Sequence, residues 1–147
     1  MILTPLFRLS CLLGLGVWMG SGLLAFIVAP VFFRMLSRQQ AGEMIGAVLL
    51  KYYGIGYVCG AMALLGIGGL LTTNEKGLWL LGVILLGSLV IHFYIDRILT
   101  PELKAIKSEN SSSKRFQALH RRSVVLNSLI LFLNLVNFSL FILYLDL

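Results

Sequence analysis

The chain has 147 residues, of which 59% are hydrophobic and 12% charged, and its mean hydropathy is +0.94. A soluble domain normally has about a quarter of its residues charged, so this composition excludes an ordinary water-soluble domain. The net charge of +6 would suit a nucleic-acid-binding protein. However, the basic residues cluster in the connections between apolar runs, which excludes that class as well.

Four apolar runs follow one another along the chain and predict one domain, residues 1–147, with four membrane-spanning helices. The predicted spans are residues 9–33, 52–71, 78–99 and 124–144. Each is close to the roughly 20 residues that an α-helix needs to cross about 30 Å of hydrocarbon. The predicted fold class is therefore all-α, an integral membrane four-helix bundle.

The connections between these spans differ in character. Pro30 lies within the end of the first span and is expected to kink or end that helix. Residues 41–50 make the second apolar region too long for one span, so they are expected to form a cytoplasmic or interfacial extension. Residues 72–77 predict a tight turn. Residues 100–118, with Pro101 and many charges, predict the longest loop, and residues 110–113 within it a flexible linker.

The distribution of basic residues predicts the orientation of the bundle. Most lysines and arginines lie between the third and fourth spans or just after the first. By the positive-inside rule, the loops 34–51 and 97–122 face the cytoplasm and both termini lie on the non-cytoplasmic side. The basic residues expected to contact lipid headgroups at this face are Arg34, Arg38, Lys51, Arg121 and Arg122.

Lys51 precedes two tyrosines and has two interpretations. As a headgroup-level anchor, its aliphatic stem would extend along the hydrocarbon while the ammonium group reaches the surface. The alternative is an intramembrane cation held in a pocket. The neighbouring aromatic rings favour the anchor, because tyrosines are enriched at membrane interfaces.

Small residues recur at four-residue spacing in the first two spans and predict close helix contacts. Dispersion rather than the hydrophobic effect drives packing in lipid, so small side chains let two backbones approach. We expect these rows to pack within the monomer rather than to form a dimer interface. The rows are Gly16 with Gly20, Ser21 with Ala25 and Ala29, and Gly56 with Gly60.

A stripe of polar residues marks the fourth span. His120, Asn127 and Asn134 recur every seven residues, so they lie on one helical face with about 20° of drift per step. Polar groups are costly against lipid, so the stripe is expected to face other helices or a groove. The structural interpretation is interhelical hydrogen bonding. The functional alternative is a groove for a polar ligand or ion, formed by His120, Ser123, Asn127 and Asn134.

The two histidines of the chain, His92 and His120, are candidate ligands for haem or copper, with Asp96 orienting one imidazole ring from four residues after His92. No CxxCH, HxxxH or methionine-rich cluster accompanies them. We therefore expect no cofactor, and interhelical hydrogen bonding as the role of His120. No nucleophile–base set, phosphate-binding loop or carboxylate pair is present, so no catalytic residue is predicted.

Several short motifs resemble those of a known family. Residues 33–38 (FRMLSR), followed by Ala41-Gly42 and Tyr52-Tyr53, resemble the first-loop signature of the family represented by human transmembrane protein 205. The pattern His120-x-x-Ser123-x-x-x-Asn127, with Asn134 seven residues on, is similar to its fourth-helix signature. The resemblance extends over residues 9–137 and implies a four-helix membrane domain of unknown biochemical function.

The four-helix frame is also distantly similar to copper-resistance D-type membrane proteins and to a haem-dependent protoporphyrinogen oxidase. The oxidase family uses a histidine in its first helix, whereas residues 12–18 here contain none. A copper site would also want more His or Met ligands than this chain has.

The sequence thus favours a non-enzymatic membrane protein that serves as an accessory or assembly subunit. The expected partner is the lipid bilayer, and a membrane protein complex is a further candidate. A small transporter or ligand binder and a haem- or copper-linked redox protein are the alternatives. The expected location is the bacterial inner membrane or the thylakoid.

Overall fold

The structure, a computed structural model, describes residues 3–72, 77–110 and 113–145, and within these ranges it contains helices and no strands. The elements are α1 Leu3–Met35, α2 Arg38–Leu71, α3 Leu78–Tyr94, a π-helical turn Ile95–Leu99, α4 Thr100–Asn110 and α5 Lys114–Leu145. Four stretches of these residues are long and apolar enough to span a membrane, with α3, the π-turn and the start of α4 forming the third. The predicted all-α membrane bundle is confirmed, and the side of the termini stays a prediction.

The spanning helices form a closed ring in which each contacts two neighbours. α1 packs on α2, α2 on α3, α3 on α5, and α5 on α1. Consecutive spans run in opposite directions, so all four contacts are antiparallel. The core lies inside the ring and includes Trp18, Leu85, Ile130 and Phe141, all of which are fully buried.

The helices are longer than the predicted spans. α1 has 33 residues and α2 has 34, which corresponds to about 50 Å each at 1.5 Å per residue. This length exceeds the roughly 30 Å of hydrocarbon. Residues 41–50 are therefore a continuous part of α2, and Ala41 is fully buried.

The prediction of a loop over residues 100–118 is wrong, because α4 continues the third helix to Asn110 and α5 begins at Lys114. Pro101 does not prevent this, since it lies in the first turn of α4, directly after the wider π-turn. The turn closes through the Thr100 N–H, which donates to the carbonyl oxygen of Ile95, five residues earlier. Residues 111–112 of the predicted linker, and residues 73–76 of the predicted turn, lie outside the described residues.

The connection between α1 and α2 consists of residues 36 and 37 alone. α1 runs through Pro30 to Met35, so the proline does not end the helix. Ser37 then caps α2: its hydroxyl accepts from the Gln40 N–H at 3.4 Å, and the Gln40 side chain accepts from the Ser37 N–H at 3.3 Å. This reciprocal capping box satisfies two amides and fixes the reversal of the chain.

α1 and α2 approach most closely around Gly14. A Cβ atom at this position would lie 2.5 Å from the Cys59 carbonyl oxygen and 2.8 Å from the Ala63 nitrogen, both of which belong to the α2 backbone. Next to it, the Ser10 hydroxyl donates to the Met62 carbonyl oxygen at 2.7 Å. Backbone contact and a hydrogen bond thus join the two helices, as expected for helix association in lipid.

The rows of small residues serve different contacts. Gly56 and Gly60 face α3, where added Cβ atoms would lie 2.5 Å from the His92 ring and from Leu89, respectively. Gly16 contacts Phe138 of α5, but a Cβ at Gly20 would meet nothing within 4 Å. Only part of the predicted pattern therefore packs inside the monomer.

Substitution of Gly14 by alanine is expected to destabilise the protein by about 1–3 kcal/mol, because the new methyl group would push two backbones apart. The matched control is Gly20→Ala, which adds the same methyl group in open space. It should be neutral or stabilising by up to about 1 kcal/mol through helix propensity. Reversible unfolding in mixed micelles measures both, and equal effects of the two substitutions would contradict this packing.

Candidate functional site

His92 is the centre of the most constrained polar site in the described part of the chain. The residue lies on α3 and is fully buried. Its Nε2 atom is 3.0 Å from the Tyr53 carbonyl oxygen of α2. Because a carbonyl oxygen only accepts, Nε2 carries the proton and donates. The ring fits because Gly56 has no side chain: a Cβ there would lie 2.5 Å from Cε1 and Nε2 of His92.

Four aromatic rings surround the imidazole edge-to-face. The ring centroids of Trp18, Tyr52, Tyr53 and Tyr57 lie 5.2, 5.5, 5.2 and 5.0 Å from that of His92. This is the preferred range and orientation for aromatic pairs, which contribute about 0.5–1.5 kcal/mol each beyond their buried area. α1 and α2 therefore enclose a side chain of α3.

The second ring nitrogen of His92 has no hydrogen-bond partner comparable to the Tyr53 carbonyl oxygen. Nδ1 of His92 and Nε1 of Trp18 are both buried without a hydrogen bond among the described residues. Orphaned polar atoms are costly in an apolar interior. The imidazole is thus held by one hydrogen bond and by ring packing, and its Nδ1 atom has no partner among the described residues.

Asp96 does not pair with His92 as the i, i+4 spacing suggested. Its Oδ2 accepts from the Tyr57 hydroxyl at 3.0 Å and lies 3.2 Å from the Nε atom of Arg97. The π-turn begins at Ile95, so it alters the helical spacing directly after His92. Wider turns of this kind occur often at functional sites.

The polar stripe on α5 is buried from Ser123 onwards. Its buried positions follow a spacing of four and three residues: Ser123, Asn127, Ile130, Asn134, Asn137 and Phe141. The Asn127 amide donates to the Tyr53 hydroxyl at 3.3 Å and to the Ser123 carbonyl oxygen at 2.9 Å. The stripe therefore reaches the His92 cage through Tyr53.

The two asparagines further along the stripe differ. The Asn137 amide donates to the Leu81 carbonyl oxygen at 3.2 Å, which joins α5 to α3. Asn134 is 1% exposed, yet neither atom of its amide has a hydrogen-bond partner in the described structure. Asn134 is thus the least satisfied polar side chain of the stripe.

His120 lies apart from the buried cluster. It is exposed, and its ring stacks on Phe116 with centroids 5.9 Å apart and planes at 6°. His92, in contrast, is enclosed by α1 and α2. The described residues contain no group of three His, Cys, Asp or Glu side chains placed to hold a metal ion. The proposed haem or copper ligands therefore occupy separate environments.

The predicted headgroup residues lie in one half of the bundle. Arg34 is in the last turn of α1 and Arg38 begins α2. Lys51 is exposed beside the buried Tyr52, so it points away from the protein interior. Near the start of α5, Arg121 and Arg122 are exposed, and the Arg122 guanidinium carbon lies 5.2 Å from the centre of the Tyr94 ring.

Sequence reasoning missed the residues that form the cage. Trp18 and Tyr57 carry no periodic polar signal, and Gly56 had been assigned only to a row of small residues. The available signal was a bulky His92 in an otherwise apolar span together with a glycine in another. To predict that His92 contacts Gly56, the relative register of α2 and α3 must be known.

This geometry defines a class of protein: a four-helix integral membrane domain whose helices meet around a buried histidine, an aromatic cage and a row of asparagines. Residues 13–112 match the family described as a domain of unknown function, DUF4149. A relative from Aquifex aeolicus (strain VF5), named an uncharacterized protein, is 34% identical over 128 residues, which is 86% of each chain. The chain therefore belongs to the DUF4149 family. No solved structure matches it.

The matched region contains the whole His92 cage, from Trp18 to Asp96, but ends before α5. The match thus covers α2, α3 and α4 and most of α1. The resemblance to transmembrane protein 205 and to copper-resistance D-type proteins stays a prediction.

The contrast between Asn134 and Asn137 gives a test of the stripe. Asn134→Leu should raise the free energy of unfolding by about 1 kcal/mol, because a leucine of similar branched shape leaves no buried amide unpaired. Asn137→Leu should lower it by about 1 kcal/mol through loss of the bond to Leu81. Unfolding in mixed micelles measures both. A destabilised Asn134→Leu would show that this amide has a partner in the membrane.

Proposed function

We propose that this protein is a non-enzymatic accessory or assembly subunit of a membrane protein complex, and that it binds a transmembrane helix of its partner along α1. The observation that carries the proposal is an uncovered face of this helix. Within residues 23–35 of α1, no side chain is fully buried by the rest of the protein, and only residues 25, 28, 29 and 32 are partly covered. An integral membrane protein with an enclosed polar core and an open helix face is suited to binding rather than to chemistry.

The open face has the spacing of a helix-packing seam. Its exposed members are separated alternately by four and three residues: Leu13, Val17, Gly20, Leu24, Ile27 and Val31. A four-and-three spacing keeps side chains facing one partner helix in a left-handed crossing. Gly20 adds a place for close approach, since nothing lies within 4 Å of the Cβ position.

The positive charges at the end of the seam predict which residues flank the partner helix. Arg34 and Arg38 lie at the end of this seam, and no described acidic side chain lies within ion-pair distance of either. A partner helix that continues into acidic residues at this end would complement them. The proposed partner is therefore a single transmembrane helix of another protein, flanked by aspartate or glutamate.

A photocrosslinking experiment in native membranes tests this proposal. Ile27 and Leu65 are similarly exposed, at 64% and 71%, but Leu65 lies on α2, outside the seam. A benzophenone amino acid in place of Ile27 should give one discrete protein adduct, whereas the same group in place of Leu65 should react with lipid.

Three outcomes would count against it. Identical adduct patterns at the two positions would show random collisions. An adduct of twice the monomer mass would show that a second copy of this chain covers the seam. The absence of protein adducts at Ile27 would show that lipid alone contacts it.

A second candidate function, a small transporter or binder of a polar ligand, is favoured by the unsatisfied Asn134 amide and by the free Nδ1 of His92. Such atoms would be paired if a hydrated ligand or a file of water entered between α3 and α5. This function would use the Ser123, Asn127 and Asn134 part of the stripe, with His92 in place of the exposed His120.

Cysteine labelling separates the two candidates. In a background with Cys11→Ala and Cys59→Ala, Asn134→Cys should react with a charged methanethiosulfonate only if a polar groove reaches this depth. Ala118→Cys on the exposed start of α5 provides the fast reference, and Phe132→Cys, which faces lipid, provides the slow one. A rate at Asn134→Cys near the slow reference would contradict the transporter candidate.

A further inference from the structure

A groove lies between α3 and α5, in the half of the bundle that carries most of the basic residues. Its volume is about 270 Å³, and its lining residues are Val90, Ile91, Tyr94, Arg122 and Leu126. Three of these side chains are aliphatic, and Val90 is 68% exposed, so the groove opens sideways from the bundle. In a membrane, the surface it faces is lipid.

Arg122 closes the groove at the level where the hydrocarbon should begin. On α5 it is followed by a run without charge from Ser123 to Leu145. Its guanidinium lies over the Tyr94 ring, 5.2 Å from the centroid. An arginine on an aromatic face and a tyrosine beside an apolar run are both characteristic of the membrane interface.

The guanidinium keeps its hydrogen-bond donors available for an anion, because an aromatic face does not occupy them as an acceptor oxygen would. The described acidic side chains at this end have other partners: Asp96 binds Arg97, Glu102 binds Arg115, and Glu43 binds Gln39. The same half of the bundle carries ten of the twelve lysines and arginines of the chain, all except Arg8 and Lys76. An anion at this site is therefore favoured by local and by overall charge.

We propose that this groove binds one anionic phospholipid, whose phosphate lies against Arg122 and whose acyl chain lies along Val90, Ile91 and Leu126. A guanidinium binds phosphate through two parallel N–H donors, which suits a headgroup fixed at one depth. Ile91 and Leu126 each precede a residue of the polar cluster, His92 and Asn127. A bound lipid thus braces α3 against α5 next to the buried site.

Native mass spectrometry of the purified full chain in detergent tests the proposal with two lipids of equal acyl length. Phosphatidylglycerol should bind at one saturable site about tenfold more tightly than phosphatidylcholine. Both lipids carry the phosphate, but the quaternary ammonium of choline makes the second lipid neutral and repels the nearby guanidinium. Inorganic phosphate at millimolar concentration should not displace it, because it lacks the acyl chain.

Two substitutions test the headgroup contact and the acyl-chain contact separately. Arg122→Gln should abolish the preference for phosphatidylglycerol. Lys114→Gln, which removes one positive charge from the exposed start of the same helix, should keep it. Val90→Trp, at an exposed position, should fill the groove and weaken both lipids equally. Melting curves without added lipid verify that each variant is folded, so a loss of binding reports on the site.

The proposal is overturned by any of three results. Equal loss in Lys114→Gln and Arg122→Gln would show attraction by general surface charge. Displacement by inorganic phosphate would show an anion site without a lipid. Unchanged binding in Val90→Trp would show that the acyl chain does not occupy this groove.

Discussion

The fold depends on the insertion of His92 into the gap that Gly56 leaves between α1 and α2. A polar ring of this size is costly in an apolar interior, and it is tolerated because the Tyr53 carbonyl oxygen accepts from Nε2 and aromatic rings cover the remainder. The Cβ of any other residue at Gly56 would occupy the position of the imidazole. One side chain of α3 therefore fixes the register of α3 against the α1–α2 pair, which is itself joined around Gly14 and Ser10.

The other interhelical contacts build on this register. Tyr53 supplies its backbone carbonyl to His92 and its hydroxyl to Asn127, so α2, α3 and α5 meet at one level of the bundle. Tyr57 continues the connection to Asp96 and the π-turn. Because the interior is closed around this cluster, the surfaces left for binding face outwards: the seam on α1 and the groove between α3 and α5. One suits a protein helix and the other a lipid.

Much of the architecture was predictable, because the length and hydropathy of a span depend only on local sequence. The burial of Asn127 and Asn134 was also predictable from their spacing, since a seven-residue repeat holds one helical face. His120 continues the same repeat but is exposed, with its ring stacked on Phe116, because it precedes the apolar run. The loop expected after Leu99 is helical, since the π-turn accommodates Pro101.

The sequence by itself thus determined the class of protein, the four spans and the concentration of positive charge at one end, because these follow from composition and from the period of the helix. Only the tertiary structure decided that Trp18, Gly56 and Tyr57 form a site with His92, and that Asp96 binds Tyr57 instead of the histidine. These contacts join residues that are far apart in the chain; Tyr57 and Asp96, for example, are separated by 39 positions. They depend on helix register and rotation, which no local pattern specifies.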